Sequence, residues 1–233
     1  MAPPLDETRS LNRPLLPQRA FAAFLFDMDG TILSSIAAAE RVWARWARRH
    51  GLDVDAFLPT IHGSRAIETV RRQNLPGIDA EAEAAWITRE EMDDVEGIEA
   101  IAGVGPFMAA LPADRWAVVT SAPRDLALRR IAAAGLPVPP MMVTAEDVVH
   151  SKPAPEGFLL AASCLGARAA DCLVLEDAPI GIAAAEAAGA SVLVIGATHA
   201  RPLDTPHPVI RDYTAVAPRV EADGGLRVVP ARA

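Results

Sequence analysis

"FLFDMDGTIL" (residues 24–33) joins an apolar run to a turn that carries two carboxylates, Asp27 and Asp29, followed by Gly30 and Thr31. The run reads as a buried strand, so the carboxylates stand at its C-terminal end. Two like charges this close repel, and either water or a cation must reach them. Taken alone, the stretch is equally a strand followed by a solvated Asp-Gly turn, since Asp-Gly pairs are common turn formers. What surrounds it in the chain separates the two readings.

Four more apolar runs share its character: "WAVVT" (116–120), "CLVLE" (172–176), "SVLVIG" (191–196) and the shorter "MMVT" (141–144). Helical patterns lie between or after them at 124–135, 155–166 and 180–190, each closing near a glycine as helix C-termini often do. Continuous apolar strands alternating with helices predict an α/β fold, a Rossmann-like parallel sheet covered on both faces. Residues 35–102 break the rhythm. No strand is apparent there, and 36–51, 63–73 and 79–94 read as amphipathic helices. In the first, Ile36, Ala39, Trp43, Trp46 and Ala47 share a face. The expectation is a core domain of residues 20–34 and 103–233, a helical cap subdomain at 35–102, and a loose Pro-rich tail over 1–19. Around Asp223-Gly224-Gly225, alternating runs predict a terminal hairpin.

The chain has 233 residues, 51% hydrophobic and 22% charged, enough for a substantial core, which excludes a disordered chain. Its net charge of −8 offers no footprint for nucleic acid or an anionic membrane. No apolar run reaches membrane-spanning length and no secretory pattern is visible, so a cytoplasmic protein is expected. Cys164 and Cys172 lack the clustering of a zinc site or disulfide framework, and both read as small core residues. Of 22 basic residues only one is lysine, Lys152. A lone compact ammonium in an arginine-using chain points to a specific task.

Ligands of open α/β sheets bind outside the carboxyl ends of the strands. Those ends here carry Asp27 and Asp29, then Thr120 and Ser121, then Glu176 and Asp177, while Lys152 lies in the loop "VVHSKPAP" before a helix. Converged, they form a carboxylate cluster suited to a hard divalent cation, Mg²⁺ where phosphate is also bound. One carboxylate can attack phosphorus, a second can move the leaving-group proton, and a hydroxyl and an ammonium can bind the developing charge.

With these residues in order, the chain resembles the phosphatases of the haloacid dehalogenase superfamily. "DMDGT", "VVTS", Lys152 in "SKPAP" and "LEDAPIGIAAAEAAG" match its four motifs, and the resemblance runs from about Phe21 to Thr198. It implies Asp27 as nucleophile, Asp29 as general acid/base, and Thr120 and Lys152 as phosphoryl-binding groups. It implies Mg²⁺ held by Asp27, the backbone carbonyl of Asp29 and Asp177, with Glu176 directly on the ion or just behind it. Ser34 replaces the aspartate that more often follows this motif.

The same resemblance narrows the branch. Dehalogenases lack an acid/base at the position of Asp29, and the phosphonate-cleaving branch needs a second lysine. A β-phosphoglucomutase-like enzyme carries a cap histidine where this chain has Ala39. The cap segment "IHGSRAIETVRR" is similar to those of small sugar- and polyol-phosphate phosphatases, including glycerol-phosphate and deoxyglucose-phosphate phosphatases. His62, Arg65 and Ser121 are therefore the expected substrate contacts, and Arg124 is either a surface residue or an anion contact. The expected function is a Mg²⁺-dependent, monomeric phosphatase acting on a small phosphorylated sugar or polyol. A sugar-phosphate mutase, a phosphoglycolate-type phosphatase and a catalytically silent binding protein stand as the alternatives.

Overall fold

The computed structural model describes residues 19–231. Apart from Arg19, the expected N-terminal tail lies outside the described residues. Strand β1 (Ala23–Phe26) is buried along its whole length and leads through the Asp27–Ile32 turn into the two-residue β2 (Leu33–Ser34). Four helices follow: α1 (Ile36–Arg49), α2 (Val54–Phe57), α3 (Ala66–Arg72) and α4 (Ala80–Asp93). The chain returns through β3 (Glu99–Ala100), which pairs antiparallel with β2. Then come α5 (Val104–Ala109), β4 (Trp116–Val119), α6 (Arg124–Ala133), β5 (Met142–Val143), α7 (Glu156–Cys164) and β6 (Cys172–Glu176). The last elements are α8 (Pro179–Ala187), β7 (Ser191–Ile195), β8 (Val209–Ile210), β9 (Val216–Val220) and β10 (Leu226–Pro230).

Six strands form one parallel sheet in the order β5-β4-β1-β6-β7-β8. Side chains alternate across it, as strand geometry requires. Phe24, Phe26, Val118 and Leu175 face a core with Phe107, Leu126, Tyr213 and Leu226. Ala23, Leu25, Val119 and Val174 face a second one with Phe158, Ala161 and Ile182. The expected hairpin is β9–β10, and it closes the first of these cores. Helices α1 to α4 have a core of their own, in which Trp43 and Trp46 pack on Phe57 at ring distances of 5.7 and 5.5 Å, and Val42, Val70 and Ile87 complete it. The tryptophan stripe is therefore packing, although Trp43 also reaches the cavity described below.

Five elements escaped the sequence reading, the two-residue β2 and the four-residue α2 among them. Residues Glu99 and Ala100 of β3 are both exposed and carry no apolar signal; only pairing with β2 makes them a strand. Strand β8 is two residues long and stands at the sheet edge, and α5 is a short six-residue helix. Cys172 is buried as expected, whereas Cys164 is exposed, because it lies at the outward-facing end of α7. No helix among the described residues is long and apolar enough to cross a membrane.

The strand order positions the site. From β1 the chain builds outward through β4 to β5, then crosses back and builds through β6 to β8 on the other side. The reversal falls between β1 and β6, where a crevice opens beyond the strand ends. The β1–β6 register pairs Phe26 with Leu175, so the residues following these two strands meet at that crevice.

Candidate active site

Asp27 leaves β1 with its amide donating to Leu175 O of β6 at 2.9 Å. Beside it, Glu176 and Asp177 end β6, and all three are buried, at 7%, 1% and 7% exposure. Their carboxylates bring one oxygen each within 4.8 Å of the others. Two glycines permit the crowding. Gly30 has φ of +90°, and a Cβ there would fall inside the Asp177 carboxylate, with even Oδ1 only 2.9 Å away. Gly181, in the first turn of α8, clears the Glu176 carboxylate in the same way. Thr31 ties the turn down: its hydroxyl makes a long 3.5 Å contact to Asp177 Oδ1, and Tyr213 OH donates to Thr31 O at 3.1 Å.

Lys152 inserts its ammonium among these carboxylates. Nζ donates to Asp27 Oδ1 and, at 2.8 Å, to Glu176 Oε1. Both oxygens of Glu176 are thereby engaged, because its Oε2 also accepts from the amides of Asp177 and Ala178, each at 2.7 Å. Asp177 has only long contacts among the described residues, from Thr31 and Thr198 at 3.5 Å and from His199 at 3.8 Å. Burial pushes the Asp27 carboxyl up to about 7 despite the lowering pull of Lys152. Burial, then Glu176 and Asp27, hold Asp177 well above the ordinary carboxyl range. Lys152 is raised in turn, because Asp27 and Glu176 outweigh the burial that disfavours its charge. Three buried carboxylates facing one ammonium fit a divalent cation, which relieves their mutual repulsion.

Asp29, two residues on, turns elsewhere. Its Oδ1 accepts from Ser35 Oγ at 2.5 Å and from Arg130 Nη1 at 3.0 Å, and its side chain takes no part in the acidic cluster. Thr120, 6% exposed at the end of β4, accepts from the Ala122 amide at 3.1 Å. Asp27, Asp29, Thr120, Ser121 and Glu176 line one face of a cavity of about 90 Å³, lined from the other side by Trp43, His62 and Glu91 of the helical insert.

The expected substrate contacts fare differently. His62 lines the cavity and lies 3.5 Å from Glu40. Ser121 also lines it, but its hydroxyl donates to Gly63 O of the insert at 3.0 Å. Arg65 corrects the expectation: it is not among the lining residues. Its guanidinium donates instead to Ala145, Val148 and Val149 carbonyls across the insert–sheet boundary, at 2.8, 2.8 and 3.3 Å. Next to it, Ser151 donates to Glu68 at 2.6 Å, so the loop leading to Lys152 is pinned by α3. Arg124 pairs with Asp147 at 2.7 Å on the exposed surface and is not among the residues that line the cavity.

Arg130 and Glu91 were not singled out from the sequence. A signal was available: Arg130 shares the buried face of α6 with Leu126, Ala127 and Ile131, and Glu91 follows Ile87 by one turn on the buried side of α4. A charge on an apolar helix face is anomalous unless it has a partner.

A family model described as haloacid dehalogenase-like hydrolase matches residues 21–189. Hexitol phosphatase A of Escherichia coli is 41% identical over 190 residues, covering 78% of this chain and 85% of that protein. Validoxylamine A 7'-phosphate phosphatase of Streptomyces hygroscopicus is 32% identical over 200 residues, covering 82% and 94%. In fold, a hydrolase from Pseudomonas syringae superposes with a TM-score of 0.65 at 24% identity, covering 75% of this chain and 84% of the other. A family match over most of the chain and a relative of this similarity settle the kinship: the chain belongs to the haloacid dehalogenase-like hydrolase family.

Proposed function

We propose that this protein is a Mg²⁺-dependent phosphatase that hydrolyses a small phosphorylated sugar or polyol through an aspartyl-phosphate on Asp27. One observation carries the chemistry: two carboxylates two residues apart line one cavity in opposite surroundings. Asp27 is buried against an ammonium and two more carboxylates, and Asp29 is held by a hydroxyl and a guanidinium. Environments that differ this way separate a nucleophile from an acid/base. The substrate class rests on the 41% identity to a hexitol phosphatase.

In the first step an Asp27 oxygen attacks phosphorus, and the bond from phosphorus to the substrate oxygen breaks. Asp29 gives the departing alkoxide its proton. In the second step Asp29 takes a proton from water, the water oxygen attacks phosphorus, and the bond to Asp27 breaks, releasing inorganic phosphate. Lys152 fixes the Asp27 carboxylate and, with Thr120, faces the equatorial phosphoryl oxygens. Mg²⁺, when bound, neutralises charge between nucleophile and phosphoryl group. Asp27 and Asp177 would hold it through their side chains and Asp29 through its backbone carbonyl, whereas Glu176 would stand behind them, its oxygens already engaged by Lys152 and two amides. Residues 35–102 serve as the cap that covers the cavity, with His62 facing the substrate. The enzyme acts as a monomer in the cytoplasm.

The mutase reading is disfavoured by Ala39, which lines the cavity at the position where the resemblance places a mutase histidine. A panel of sugar, polyol and glycolate phosphates, assayed for phosphate release with and without Mg²⁺, tests the proposal. Release from a sugar or polyol phosphate only with Mg²⁺ is expected, and Asp27→Asn is expected to abolish it with an unchanged circular-dichroism spectrum. No release from any member refutes the phosphatase, and turnover by Asp27→Asn moves the nucleophile elsewhere.

A further inference from the structure

Both donors to Asp29 reach the same oxygen. Ser35 Oγ and Arg130 Nη1 bond Oδ1, and Oδ2 takes no hydrogen bond from any described residue. Arg130 belongs to α6 and is only 6% exposed. Its second arm, Nη2, meets Oε1 of Glu91 at 3.2 Å, and Glu91 comes from α4 of the insert and is 7% exposed. The third nitrogen, Nε, is buried without a partner. Burying a guanidinium is costly unless its charge is matched, and here the matching carboxylates come from two different units of the fold. Ser35 alone already offers Asp29 a donor, so packing gives no reason for an arginine at this place.

We infer that Arg130 is the positioning residue of the acid/base. It pins Oδ1 of Asp29, which leaves Oδ2 as the oxygen that exchanges the proton with the leaving group, and Glu91 holds the guanidinium in that pose. The inference deepens the phosphatase reading and rests on it. A planar fork spans two carboxylates at fixed angles, which a single ammonium does not do. Since the Glu91–Arg130 pair crosses from insert to sheet, Asp29 has its full set of neighbours only while the insert lies as it does here.

The test compares sorbitol 6-phosphate with p-nitrophenyl phosphate, whose leaving group departs without a proton. The full-length variants are Asp29→Asn, Arg130→Met, Arg130→Met/Glu91→Gln and Arg130→Met/Asp29→Asn, all with Mg²⁺. The Glu91→Gln pairing removes the carboxylate that Arg130→Met alone would strand in the interior. Arg130→Met, alone or with Glu91→Gln, is expected to lower kcat on sorbitol 6-phosphate about 30- to 100-fold, with KM within about threefold. The burst of p-nitrophenol release is expected to fall by less than about fivefold. In the Asp29→Asn background Arg130→Met is expected to cost no more than about threefold, since the proton-exchanging oxygen Oδ2 is gone.

A raised KM with unchanged kcat makes Arg130 a substrate contact and overturns the inference. Equal losses on both leaving groups, or additive losses with Asp29→Asn, overturn it as well. The two levels fail differently. If Asp29→Asn keeps its turnover of sorbitol 6-phosphate, the acid/base assignment itself falls. If Asp29→Asn is inactive while Arg130→Met/Glu91→Gln matches the wild type, only the role of Arg130 falls.

Discussion

Gly181→Ala sets two effects of opposite sign against each other. Alanine in place of glycine inside a helix favours folding by about 1 kcal/mol. Against this stands the Glu176 carboxylate beneath the first turn of α8. The new Cβ would overlap it, with even the farthest carboxyl atom, Oε2, only 2.7 Å away, where non-bonded heavy atoms rest at about 3.5–4.0 Å. Glu176 is 1% exposed and cannot swing into solvent. Displacing it breaks the bond from Lys152 at 2.8 Å and those from the Asp177 and Ala178 amides at 2.7 Å. Hydrogen bonds to a charged group contribute about 1.5–3 kcal/mol each. Loss of even two of the three exceeds the helix gain, and a net destabilisation of about 2–5 kcal/mol is expected. At this chain length that lowers the melting temperature by roughly 4–20 °C. Urea denaturation and thermal melting read the stability, and phosphate release reads the site, where Lys152 loses one of its two anchors. Gly105→Ala in α5, where a Cβ meets nothing within 4 Å, is the control and is expected to be neutral or slightly stabilising. A Gly181→Ala protein that melts at or above the wild-type temperature with full activity would refute this placement of Glu176.

Two further outcomes are expected. Asp27, raised by burial to about 7, and Asp177, raised well above the carboxyl range, favour the folded state when protonated. That contribution is present below the unfolded value near 4 and is lost as pH rises through about 7. Mg²⁺ restores it by pairing with the ionised forms, so the metal is expected to raise the melting temperature more at pH 8 than at pH 5; equal shifts at both would contradict the carboxylate site. Arg65→Ala removes three bonds from the insert to the 145–149 carbonyls and is expected to lower kcat/KM about five- to tenfold by the same factor for every substrate. A loss that varies with the substrate would return Arg65 to the substrate contacts.

The parallel sheet was legible because its strands are buried on both faces and so read as unbroken apolar runs, as "FLF" and "CLVLE" do. The Asp27, Asp29, Thr120, Lys152, Glu176 and Asp177 set was legible because strand ends are where such folds present polar groups, and each of these residues interrupts an apolar pattern or stands alone of its kind. The β2–β3 ladder was not, since two exposed residues carry no periodicity and exist as a strand only through partners 65 and 67 residues away. Arg65 was misread for a related reason. Its composition suits an anion, but its direction is set by α3 and by three carbonyls of a distant loop.

By itself the sequence determined the α/β class, the helical insert and the carboxylates around a single ammonium, because these follow from local periodicity and from residue types placed at strand ends. Tertiary structure alone decided how those carboxylates divide. Glu176 is engaged by Lys152 and two amides while Asp177 has only long contacts, and Asp29 is drawn to Ser35, Arg130 and, through Arg130, to Glu91 of the insert. The reason is physical: a carboxylate's role depends on which of its oxygens is already bonded and how deeply it is buried. Both are set by residues up to 146 positions apart that meet only when the sheet and the insert are assembled.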